Sequence, residues 1–163
     1  MLKISIIEFF FRALPESFIL VLGAYAFCKK NICIKPFFIS TVLFSIVAYL
    51  IRMLPIHFGV HTIIILIVYI LLMYFINNLD IIKSASSGLI LIIMLFVVEW
   101  LNVYVLTNIL KLDINVIFKE PLKKLLYGIP SLVLFSIIIV TIAYKNLYLE
   151  RTTKNISSRK YIK

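Results

Sequence analysis

The sequence predicts an all-α fold, a polytopic bundle of about five transmembrane helices, on three observations. Of 163 residues, 63% are hydrophobic and 15% charged, with a mean hydropathy of +1.12; an ordinary soluble domain is about 45–50% apolar and about 25% charged. The apolar residues gather into continuous runs close to the roughly 20 residues that a helix needs to cross hydrocarbon. Those runs do not alternate apolar and polar over about ten residues as membrane β-strands do, so the many Ile and Val do not argue for a barrel. This composition excludes a soluble globular enzyme, a disordered tail and a disulfide scaffold.

The first span is expected over 14–27, with Ile4 to Phe11 a candidate extension and Pro15 placed where a helix starts or kinks. It carries Glu8, Arg12, Pro15 and Glu16 in place of a short clean apolar core with a small-residue cleavage site, so it is expected to stay in the mature protein. Span two is expected over 36–54, opening at Pro36 and stopping at Pro55, and span three over 58–76. The short link between them predicts an antiparallel hairpin. Span four, 85–110, follows the polar break Asn77-Asn78-Leu79-Asp80 and opens on Ala85-Ser86-Ser87-Gly88. Residues Asp113 to Lys124 mix Ile114, Ile117 and Phe118 with charges, which suits an interfacial amphipathic segment broken at Pro121. Span five is expected over 125–144; residues 1–145 then make one transmembrane domain, and 146–163 a basic, mobile tail.

Orientation follows from Lys and Arg outside the spans. Six lie from Lys145 onward (Lys145, Arg151, Lys154, Arg159, Lys160, Lys163), which places the C-terminus in the cytoplasm. Lys29, Lys30, Lys35 and Lys83 fall on the same side, against Lys3, Arg12, Arg52, Lys111, Lys119, Lys123 and Lys124 on the other. The net charge of +10 is explained by anionic lipid near the inner leaflet, with no need for nucleic acid.

Charged groups in hydrocarbon are costly, so each needs a partner, water or a task. Glu99 stands near the middle of span four, beyond easy snorkelling reach; it reads either as a structural ion pair or protonated acid, or as a ligand, ion or signalling position. Asn102, Tyr104 and Asn108 continue a polar stripe from it. Glu8, Arg12 and Glu16 are spaced by four, an acid-base-acid ladder on a continuous helix that Pro15 is able to break. Arg52 is the best counter-charge for a buried carboxylate, because its fork binds one bidentately. His57 and His61, four apart, share a helical face and suit hydrogen bonding or proton sensing; two His without a third ligand do not make a metal site. Cys28 and Cys33, five apart, fit neither a redox nor a zinc motif and read as free thiols at a membrane boundary. No phosphate-binding Gly loop, G-x-S-x-G or H-E-x-x-H occurs, so neither catalysis nor a cofactor is expected.

Arg12-Ala13-Leu14-Pro15-Glu16 and Arg52-Met53-Leu54-Pro55-Ile56-His57-Phe58-Gly59-Val60-His61-Thr62, with the hydropathy layout over residues 8 to 145, resemble the multi-span membrane region of clostridial GHKL-type sensor histidine kinases and their small stand-alone relatives. The resemblance implies a sensor or membrane anchor. The phosphoacceptor His and ATP-binding motifs of such kinases have no counterpart in residues 1–163, so what carries over is sensing or accessory function beside a histidine kinase or another protein partner. The expected function is thus a sensor or regulatory module in the cell membrane, active in signal transduction without chemistry of its own. The alternative is a small substrate-binding subunit of a transporter, with Glu16, Arg52, His57, His61, Glu99 and Asn102 as candidate positions in either case.

Overall fold

Long apolar runs punctuated by proline and short polar breaks become helices joined by tight links. The computed structural model describes residues 6–54, 58–111 and 121–160, and within them all regular structure is helical. The chain enters through a helical turn, Ile6–Glu8, and a π-helical turn, Phe9–Ala13. Five helices follow: α1 Leu14–Cys28, α2 Ile34–Met53, α3 Phe58–Phe75, α4 Ile81–Tyr104, and α5 Pro121–Lys160. A second π-helical turn, Val105–Ile109, extends α4.

Four segments are long and apolar enough to cross a bilayer, namely Phe9–Cys28, Ile34–Met53, Ile81–Ile109 and Leu125–Asn146, and Gly59–Phe75 is a shorter apolar helix beside them. The chain is a multi-pass helical membrane protein. Span bounds shift by a few residues from expectation, and two differences matter. Pro121 begins α5 where it was expected to interrupt an amphipathic segment, since proline at a first helical position gives up only a donor that has no intrahelical partner there. The tail does not leave the helix at Lys145: α5 runs unbroken to Lys160. The expected interfacial segment itself falls largely on residues 112–120, outside the described residues.

Helix α1 is the centre of the bundle. It packs on α2, α4 and α5, and more than half of its spanning segment is buried. Centrality explains its composition: it is the least apolar of the candidate spans because its neighbours, not lipid, surround it, so Glu16, Ser17, Gly23, Ala24 and Ala26 are admissible there. Tyr25, Phe44, Met73, Leu91, Phe135 and Ile139 fill the core, while Ile63, Phe75, Ile93, Trp100, Val133 and Ile137 face outward. On a water-soluble protein so much exposed apolar surface would drive aggregation; here it meets acyl chains.

Small residues set the closest approaches, as expected where helices associate by packing in place of a hydrophobic drive. A Cβ added at Gly23 would lie 2.5 Å from Leu91 Cδ2, and one at Gly88 would lie 2.9 Å from both the Tyr69 ring and Leu66 Cδ1. Leu91 has flexible methyl groups, whereas Tyr69 is a buried planar ring that cannot yield. Gly88→Val is therefore expected to destabilise the α3–α4 contact by about 1–3 kcal/mol through overpacking. Gly23→Ala should cost less. Thermal unfolding in detergent of the two variants side by side checks the order.

Candidate functional site: a belt of charge across the bundle

Pro15 decides how the first charged residues are presented. Its ring offers the Phe11 carbonyl no N–H, and the turn before it widens, with Leu14 N–H reaching back five residues to the Phe9 carbonyl. The extra residue rotates everything upstream relative to α1, so the ladder that the four-residue spacing suggests does not form. Glu16 instead faces α2, where Arg52 Nη2 donates to Oε1 at 2.6 Å and Nη1 to Oε2 at 3.3 Å. Arg12 reaches across to α4 and donates from Nη2 to Glu99 Oε1 at 2.7 Å. Arg52 is thus the counter-charge of a buried carboxylate, as expected, and the acid is Glu16. The charges thus form two separate bridges, Arg52–Glu16 and Arg12–Glu99.

A fourth helix closes the belt. A Cβ at Gly128 of α5 would stand 3.4 Å from Arg12 Nη1, so the guanidinium lies over the bare backbone of that glycine. Two residues later Pro130 interrupts the internal hydrogen bonding of α5. Side chains meet the carbonyls of the turn it loosens: Asn102 Nδ2 donates to the Tyr127 carbonyl at 2.8 Å, and Ser131 Oγ to the Gly128 carbonyl at 2.7 Å. The predicted polar residue Asn102 therefore ties α4 to α5 beside the charges.

Glu8 is also buried, and its carboxylate, with that of Glu99, acts electrostatically on Arg52 along with the bonded Glu16. The belt holds three carboxylates, Glu8, Glu16 and Glu99, with two guanidiniums, Arg12 and Arg52. At 1.5 Å per residue, Arg52 lies about 27 Å along α2 from its start, Glu99 about 27 Å along α4, and Arg12 about 24 Å from the end of α1. These heights are close to the roughly 30 Å thickness of a hydrocarbon layer. Glu16 is nearly inaccessible at 6% side-chain exposure, while the Arg52, Arg12 and Glu99 side chains are 34%, 25% and 34% exposed. Between Glu16, Ser17, Leu20, Phe44, Arg52 and Ile65 is a cavity of about 10 Å³, the size of one water molecule.

The remaining predicted positions stand apart. His61 places Nε2 3.2 Å from the Leu54 carbonyl, at the end of α2, and does not join the two bridges. His57 lies outside the described residues. Among the described residues no three His, Cys, Asp or Glu side chains converge to hold a metal ion.

A second polar centre, which sequence reasoning passed over, lies at the opposite end. Asn77 follows α3 and is buried; its Oδ1 accepts from Tyr25 Oη at 2.6 Å and from Ser40 Oγ at 3.4 Å, while Lys30 Nζ donates to its carbonyl at 2.8 Å. Asn77 reads as a turn residue in sequence, and only the tyrosine in the middle of an apolar run hinted at a buried partner. Tyr25→Phe strips Oδ1 of its short bond. A loss of about 1–2 kcal/mol is expected, with Phe37 and Phe44 packing unchanged, readable as a lower unfolding temperature in detergent.

Comparison of the chain with protein-family models, curated proteins and solved structures finds no match.

Proposed function

We propose that the chain is a regulatory module of the cell membrane that works through helix packing and a protein partner, without catalysis. One observation carries the reading: the charge belt touches the helix that leaves the membrane. Arg12 is bonded to Glu99 of α4 and seated on Gly128 of α5, and α5 continues as one helix from its spanning segment, Leu125–Asn146, to Lys160. The extension beyond Asn146 is about 21 Å of rigid lever at 1.5 Å per residue. A change in the Arg12–Glu99 bond, by protonation, a small ligand or lipid, shifts α5 against α1 and moves that lever. The resemblance to sensor-kinase membrane regions points to a histidine kinase or its response regulator as the partner, with the basic tail on the cytoplasmic side.

The test places nitroxide labels at Asn155→Cys and Ser86→Cys in a Cys28→Ser, Cys33→Ser background, in nanodiscs. Arg12→Gln with Glu99→Gln is expected to move the label-to-label distance and to change recovery of a histidine kinase from solubilised membranes. Unchanged distances and unchanged recovery would sink the proposal. Co-purification of an ATPase pair or a vitamin would move the protein to the transport reading, for which the water-sized cavity beside Glu16 offers no room as it stands.

A further inference from the structure

The two ends of the bundle handle their cations differently. At the end where α1 and α3 finish and α2 and α4 begin, the described residues include Lys29, Lys30, Lys35, Lys83 and Lys145, with Asp80 as the acid. Lys145 belongs there because its neighbour Asn146 donates to the Ala26 carbonyl, in the last turn of α1, at 3.2 Å. Asp80 is engaged as the N-cap of α4, its Oδ1 accepting from Ile82 N–H at 3.0 Å. Lys30 is a strut, donating to the Asn77 and Asn78 carbonyls at 2.8 and 2.7 Å. The other four lysines are exposed and come from four different parts of the chain. At the opposite end Arg12 and Arg52 are each bonded to a carboxylate, and two lysines, Lys111 and Lys123, are exposed among the described residues, against four here.

Local helix energetics do not account for this arrangement. Lys35 and Lys83 sit in the first turns of α2 and α4, where the helix dipole disfavours a cation, and the N-cap of α2, Cys33, makes no side-chain cap. Two helix starts and four lysines therefore add their positive potential at one level. That level is the boundary of the hydrocarbon, where apolar lysine stems lie along the bundle and the ammonium groups reach the plane of lipid phosphates.

We propose that this end of the bundle is a docking surface for anionic phospholipid headgroups, with Lys29, Lys35, Lys83 and Lys145 drawing their phosphates to the bilayer boundary. The inference needs only the membrane setting and stands apart from the regulatory reading.

The test puts the intact chain in nanodiscs of equal phosphatidylglycerol and phosphatidylcholine and counts by native mass spectrometry the lipids retained on release. Phosphatidylglycerol is expected in several-fold excess, and high salt should shrink that excess. Lys35→Gln with Lys83→Gln should lower the preference by up to about five-fold per lysine at low salt, whereas Lys111→Gln with Lys123→Gln, at the sparser end, should lower it less. Equal retention of the two lipids by the unsubstituted chain would overturn the proposal, as would equal losses in both double variants. Displacement of phosphatidylglycerol by millimolar inorganic phosphate would also overturn it, since the surface would then serve a free anion. If the Lys35/Lys83 variant fails to fold, the lipid ratio of the unsubstituted chain and its salt dependence decide.

Discussion

Arg52→Gln is expected to destabilise the bundle by about 3 kcal/mol, the lower end of the cost of breaking a buried ion pair from one side. The reason lies in the asymmetry of the pair. Arg52 has a third of its side chain exposed and would lose little by leaving, but Glu16 is almost wholly enclosed by α1, α2 and the water-sized cavity. Removing the guanidinium leaves Glu16 either charged without its donor or protonated in an apolar wall. Glu16→Gln with Arg52→Gln removes both charges and keeps a hydrogen bond within reach, so the double variant should recover most of the loss. A double-mutant cycle of thermal unfolding in detergent measures the coupling. If the single and double variants were equally damaged, the bridge would hold nothing together, and Arg52 would matter only as part of the wall of the cavity it shares with Ala48 and Ile65.

The fold was largely legible because hydropathy reports what faces lipid. Spans two and four read clearly for that reason: Ile34–Met53 and Ile81–Ile109 present apolar residues to the bilayer. Helix α1 was the hardest to delimit, and its position explains why. A helix surrounded by protein is released from the demand for uniform apolarity, so the most central element shows the weakest span signal. The same logic makes Pro121 ambiguous, since one residue type both ends and begins helices.

The site was legible only as a set of residue types. That Glu16, Glu99 and Arg52 needed partners follows from the cost of charge in hydrocarbon; which acid meets which base depends on helix order and rotation, and the bridges span separations of 36 and 87 residues. Rotation in turn hangs on the π-helical turn before Pro15, a local consequence of one proline with an effect on two distant pairings. Arg12 was visible as part of a ladder, but its place over Gly128 was not, because a glycine in an apolar run carries no mark of what approaches it. Asn77 was hidden for a different reason, since buried turns and exposed turns use the same residues.

Reversing the charge at Arg12 is expected to have a larger effect than removing it. Arg12→Glu would place four carboxylates around Arg52, all within a layer where water is scarce, and like charges there raise the cost of each other's ionisation. The chain is expected to accumulate poorly and to lose its folded state at temperatures that the unsubstituted protein survives. Glu99→Arg alone gives the opposite imbalance, with Arg12 and the new guanidinium competing for one side of the belt. Combining Arg12→Glu with Glu99→Arg restores one bridge of reversed polarity and should recover the fold in part. Recovery should fall short of complete, because Gly128 leaves room for a guanidinium coming from the α1 side, and a shorter carboxylate leaves that space unfilled. Gly128→Ala, whose Cβ would meet Arg12 Nη1 at 3.4 Å, should be tolerated in the unsubstituted background and in the swapped one. Gly128→Leu should push Arg12 from Glu99 in the former and cost less in the latter. Yields and unfolding temperatures in detergent across these variants measure whether α5 feels the bridge directly; equal sensitivity to Gly128→Leu in both backgrounds would mean that the glycine serves only the packing of α5.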